Sequence, residues 1–156
     1  MDYSKNYIKW IEGLTKDQFD IFIKSFIKDF WQVENVVITD GKGDAGIDVK
    51  ILEGRKNKKI PLQITVDKNV YNKLEKDLVK INDLIEKFGY SDVFYFYYSR
   101  GAAEGKVIEL TEKARTDYSM DLKIFDHKVI ASYLDNPGYE NTRSVLRNFL
   151  RIFQFY

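Results

Sequence analysis

Apolar and polar positions change spacing several times along this chain, and each change marks an element. From Phe19 onward, Phe22, Ile23, Phe26, Ile27 and Phe30 follow the i, i+3, i+4, i+7 rhythm of an amphipathic helix. Thr15 with Gln18 three residues on reads as its capping box. Residues 3–11 predict a shorter helix before it. Residues 34–39 (E-N-V-V-I-T) are rich in β-branched side chains and predict a strand. Asp40-Gly41-Lys42-Gly43 predicts a turn, residues 47–52 a second strand, residues 53–57 another turn, and residues 60–66 a third strand. A long helix follows over 69–88, with Val70, Leu74, Leu78, Ile81, Ile85 and Phe88 on one side and Gly89 at its C′ position. Residues 93–98 (V-F-Y-F-Y-Y) form a continuous apolar run, the mark of a central strand covered on both faces. Helix 106–115, strand 122–125 and a short helix over 129–134 come next. Asn136-Pro137-Gly138 breaks the chain before a last helix, 141–153, whose apolar side is Val145, Leu146, Phe149, Leu150 and Phe153.

Without the short opening and penultimate helices, the order is α–β–β–β–α–β–α–β–α. A meander followed by helical crossovers predicts a three-layer α/β domain, with a mixed central sheet and helices on both faces. A chain of 156 residues fits one domain. We expect its body to span 1–136, with 137–156 as an appended or interface-forming helix. The closing Phe149, Phe153, Phe155 and Tyr156 call for cover, from the body, a second copy or another domain.

Composition narrows the chemistry. With no cysteine and His127 as the one histidine, disulfides, thiolate sites and multi-histidine zinc sites are excluded. Any metal must be held by carboxylates, amides and carbonyls, which favours Mg²⁺ or Mn²⁺. Net charge is only +1, but Lys50, Arg55, Lys56, Lys58 and Lys59 crowd together with Glu53 alone opposing them. That cluster reads either as phosphate contacts or as a solvated hairpin tip. No long apolar run and no signal-peptide pattern occurs, so we expect a soluble cytoplasmic protein without a membrane partner.

The candidate chemistry centres on Gly43-Asp44-Ala45-Gly46-Ile47-Asp48 and, further on, Gln63-Ile64-Thr65. Side chains alternate along strands, so Asp48 and Lys50 share a face, as do Gln63 and Thr65. If the ribbon pairs Asp48 near Gln63, carboxylate, amide, hydroxyl and the Lys50 ammonium converge. Asp48, the Gln63 side-chain oxygen and the Ile64 main-chain carbonyl would then suffice for magnesium, which keeps several waters. Taken bare, the same residues also read as a solvated turn aspartate and a strand glutamine facing water.

In order of elements and in local sequence, residues 14–135 resemble the PD-(D/E)XK nuclease superfamily, most closely its Mrr-like restriction endonuclease branch. Phe19-Asp20 stands where that branch has a Phe-acidic pair on a helix. Asp44-Ala45-Gly46-Ile47-Asp48 stands for its glycine-rich aspartate turn, and Gln63-Ile64-Thr65 for its Gln-x-Lys strand. Tyr98-Ser99-Arg100 stands for its serine-rich turn, and Ile124-Phe125-Asp126 for the strand ending near aspartate. The resemblance implies a restriction-endonuclease-like fold and metal-dependent cleavage of DNA phosphodiesters in prokaryotic defence or DNA processing, often as a homodimer. Asp48 would be the central metal ligand, Gln63 the second, and Asp20 an acid assisting a second metal or a bound water. Arg55, Lys56, Lys58, Lys59, Lys68 and Arg100 would contact nucleic acid.

Thr65 departs from the pattern, because the resemblance implies lysine there. Either a lysine has moved, with Lys50 and Lys68 the nearest in sequence, or the domain is an inactive nuclease-fold module that binds nucleic acid or a protein partner without cutting. Ser99-Arg100-Gly101 reads as a phosphate contact or a plain turn. His127 beside Asp126 lacks a recognisable nucleophile for acid–base work.

Overall fold

The computed structural model describes residues 4–40, 50–53 and 59–154. Helix α1 (Ser4–Glu12) leads into α2 (Lys16–Trp31), which starts where the capping box predicts. Thr15 Oγ1 accepts from the Gln18 amide at 3.2 Å, and the Thr15 amide donates to Gln18 Oε1 at 3.0 Å. Strands β1 (Val37–Asp40), β2 (Lys50–Glu53) and β3 (Lys59–Thr65) follow, then α3 (Tyr71–Phe88) and β4 (Val93–Tyr98). The chain continues through α4 (Glu104–Tyr118), β5 (Asp121–Phe125), α5 (His127–Leu134) and α6 (Glu140–Gln154). Gly89 closes α3 with φ 66°, a left-handed backbone that suits glycine.

The strands form one five-stranded sheet in the order β1-β2-β3-β4-β5. β1, β2 and β3 are antiparallel neighbours, while β3, β4 and β5 run parallel. The sheet is therefore mixed, and β4, an interior strand beside the middle strand β3, is buried from both sides as its unbroken apolar run requires. On one face, Leu62, Ile64 and Tyr97 pack with Ile11, the α2 stripe, Ile130, Leu134 and Leu146. On the other, Phe94, Phe96, Tyr98 and Leu122 pack with Leu74, Leu78, Ile81 and Leu110. Thus α1, α2, α5 and α6 cover one face, and α3 and α4 the other. Phe26 anchors the first layer, its ring meeting Phe30, Tyr97, Phe125, Tyr133 and Tyr139.

The last helix is part of this core. Leu146 is fully buried, Phe149 packs against the same cluster, and Asp29 Oδ2 accepts from the Thr142 amide and hydroxyl at 3.0 and 2.6 Å. Arg143 Nη1 donates to the carbonyls of Leu134 and Asn136. These contacts join the helix expected over 137–156, appended or interface-forming, to residues of the 1–136 body. Several element bounds also move by one to three residues. β1 starts at Val37, and α4 runs past both ends of its expected span. Among the described residues, no helix is long and apolar enough to cross a membrane.

Candidate functional site

Because β3, β4 and β5 are parallel, the loops that follow them leave the sheet at one edge, where open α/β sheets place their ligands. Side chains lock these loops together. Arg100 Nε donates to the Val66 carbonyl at 2.8 Å. Asp126 accepts from the Ala102 amide at 2.9 Å and from the Val129 amide at 3.0 Å, capping α5 in the process. Tyr71 Oη accepts from the Ala103 amide at 2.8 Å.

The end of β3 lies in this rim. Ser99 N donates to the Thr65 carbonyl at 3.2 Å, so that carbonyl faces β4. Carbonyls alternate along a strand, so the Ile64 carbonyl faces the β2 side. Lys16, the first residue of α2, reaches it there: its Nζ donates to the Ile64 oxygen at 2.5 Å and to Asp20 Oδ1 at 2.8 Å. Asp20 therefore does turn from the α2 stripe toward the strand end. Gln63 registers with Phe96, on the sheet face covered by α3. It is 3 % exposed, and its Oε1 is buried and accepts no hydrogen bond among the described residues. A water-facing glutamine is excluded. Thr65 is buried on the same face, and its hydroxyl accepts from the Asp67 amide at 3.2 Å.

The remaining expected residues separate. Lys50 registers with Leu62, one position away from Gln63, so the backbone does not put it in line with Gln63 and Thr65. Lys68 is exposed in the loop after β3. Lys59 begins β3, about 17 Å along the strand from Ile64 at roughly 3.3 Å per residue, so it lies at the far end of the strand. Arg100 sits in the rim, half-buried. Asp48, Arg55, Lys56 and Lys58 lie outside the described residues.

Two polar groups had escaped the sequence reading, and a third, Ser99, had been read as a phosphate contact or a plain turn. Lys16 is held to β3 by a contact spanning 48 residues, which no local pattern announces. Asp77 is 3 % exposed and lies in the stripe of α3 between Leu74 and Leu78, on the side of the sheet that Gln63 faces. A carboxylate on an apolar stripe was a visible signal. Ser99 is 1 % exposed at the end of β4, with a hydroxyl that lacks a partner among the described residues. His127 opens α5, its Nε2 lying 3.5 Å from Glu12 Oε2 while Nδ1 is buried without a partner. Burial depresses its pKa below the ordinary histidine value, outweighing the pull of Asp126 and Glu12. The missing side chain of Gly101 lets that ring approach the loop, since a Cβ there would come within 3.1 Å of His127 Cε1.

Two oxygens near the end of β3 are of the chemical kind a hard cation takes, one under α3 and the other facing β2 and holding Lys16. An amide oxygen without a partner and a main-chain carbonyl that already draws an ammonium are oxygen ligands of the kind magnesium takes. No group of three or more Asp, Glu, His or Cys gathers among the described residues. Compared with protein-family models, with curated proteins and with solved structures, the chain matches none.

Proposed function

We propose that this protein is a metal-dependent nuclease of restriction-endonuclease-like fold that hydrolyses DNA phosphodiesters, with a setting in prokaryotic defence or DNA processing. One observation carries the reading: Gln63 Oε1 is buried without a partner among the described residues, one residue before Ile64, whose carbonyl accepts from Lys16. A buried amide oxygen left unpaired costs about 1–3 kcal/mol, and a ligand that accepts its lone pairs explains why the chain retains it. The strand order, with an antiparallel ribbon running into parallel strands, agrees with the resemblance.

Asp48, Gln63 and the Ile64 carbonyl would hold the ion, Mg²⁺ or Mn²⁺. Bound there, it would lower the pKa of a water and neutralise charge on the phosphoryl oxygens. In the reaction, the water oxygen bonds to phosphorus and one ester P–O bond breaks. The water loses a proton and the departing oxygen gains one. By the resemblance, Asp20 would assist that water, and Arg100 on the rim would meet the DNA backbone.

The test is relaxation of supercoiled plasmid with Mg²⁺ or Mn²⁺, comparing wild type with Asp48→Ala. The reading expects nicking by wild type that falls at least about 100-fold in the variant, the usual scale for losing electrostatic stabilisation at a reacting centre. Binding of DNA without cleavage by either would favour the inactive module instead.

A further inference from the structure

We infer that His127 is a pH-sensitive latch that holds the loop after β4, residues 99–103, against α1 and α5; the inference stands apart from the nuclease reading. The imidazole sits where three elements meet. His127 opens α5, its main-chain amide donates to the Arg100 carbonyl at 3.5 Å, and its Nε2 lies 3.5 Å from Glu12 Oε2 at the end of α1. The backbone of Gly101 comes so near that an added Cβ would stand 3.1 Å from His127 Cε1. The ring therefore fills the space against the loop, and its side chain is only 7 % accessible.

This arrangement suits the neutral ring. Glu12 stands at the Nε2 end and favours the proton on that nitrogen, which leaves Nδ1 as a bare lone pair. Nδ1 is buried and has no partner among the described residues. A proton added there brings a charge, and a donor with nothing to bond, into a place closed to water. The charges around the ring are mixed. Glu12 from α1 and Asp126 from the end of β5 attract the proton, while Lys128 on α5 opposes it. Asp126 already accepts from the Ala102 and Val129 amides, and Arg100 in the loop is turned to the Val66 carbonyl. Burial outweighs the two carboxylates, so the closed ring takes its proton at a lower pH than an exposed one. Once the loop lifts, the ring titrates near the ordinary pH of about 6.5. Opening is therefore favoured as pH falls below about 6.5, by at most about tenfold per pH unit for one proton, and levels off below the closed-state pKa.

The experiment is amide hydrogen exchange on wild type and His127→Phe between about pH 7 and about pH 5.5, above the ordinary carboxylate range, corrected for the intrinsic effect of pH. The Ala102 and Ala103 amides, held by Asp126 and Tyr71, report the loop, and the Phe96 amide within β4 reports the sheet. In wild type, loop exchange should rise at least about threefold toward the lower pH while Phe96 stays protected. His127→Phe should abolish the rise. His127 is the one histidine of the chain, so its Cε1 proton can be followed singly by NMR. It should titrate below the ordinary value, and lower still in Glu12→Gln, which removes an attracting charge. The inference is overturned if wild-type loop exchange is flat, if His127→Phe shows the same rise, or if Phe96 opens together with the loop, which makes the change global unfolding. Should His127→Phe fail to fold, a wild-type titration at or above the ordinary histidine value overturns the inference by itself.

Discussion

Replacing Gln63 with methionine tests whether the chain keeps a polar group in its sheet for the sake of a ligand. Gln63 is 3 % exposed, and its Oε1 has lost water without gaining a donor among the described residues. Methionine has nearly the same length and volume and no amide to desolvate. Removing an unsatisfied oxygen recovers about 1–3 kcal/mol, from which a hydrogen bond made by the amide nitrogen would subtract about 1 kcal/mol. The expected net gain is about 1 kcal/mol, or roughly 2–4 °C in melting temperature for a chain of this size. The assay is thermal unfolding with EDTA and again with Mg²⁺. In EDTA, Gln63→Met should melt higher than wild type. With Mg²⁺ at about 100 times its dissociation constant, wild type should gain about 2.7 kcal/mol by mass action and the variant much less. If Gln63→Met loses more than about 1 kcal/mol in EDTA, the amide is a paired structural group and the reasoning fails.

Two further outcomes follow from the geometry. Thr15→Ala removes the α2 cap and should cost about 1 kcal/mol in urea unfolding; an unchanged midpoint would show that the capping box contributes nothing. His127 is buried with its pKa pushed below the ordinary value, first by desolvation. The unfolded chain takes up this proton near pH 6.5, while the folded ring takes it only at lower pH, so stability falls as pH drops below about 6.5 and recovers above it. His127→Phe should flatten that part of the stability–pH curve, and curves that stay parallel to wild type would contradict the assignment.

The elements were legible because their signals are local. The Phe19–Phe22–Ile23–Phe26–Ile27 stripe, the Thr15–Gln18 box and Gly89 each act within a few residues, and each appears in the fold as expected. The V-F-Y-F-Y-Y run gave an interior strand, though not the middle one, because burial on both faces removes alternation. The site was only partly legible. Gln63 and Thr65 were found by their place on β3, but their burial depends on α3 packing over them, and that is set by side chains far away in sequence. Lys16 could not be found, because a lysine beginning a helix looks like any solvated lysine until the carbonyl of Ile64 is brought to it. The grouping of Lys50 with Gln63 depended on strand register, which a shift of one residue reverses; β2 pairs Lys50 with Leu62.

The central claim is that the end of β3 holds a divalent cation. Crystals soaked in Mn²⁺ test it directly through anomalous scattering. The account predicts a manganese peak within coordination distance of Gln63 Oε1 and the Ile64 carbonyl, lost in Gln63→Met crystals. A map without a peak there, at manganese concentrations that support no binding to Gln63 in solution either, would contradict it.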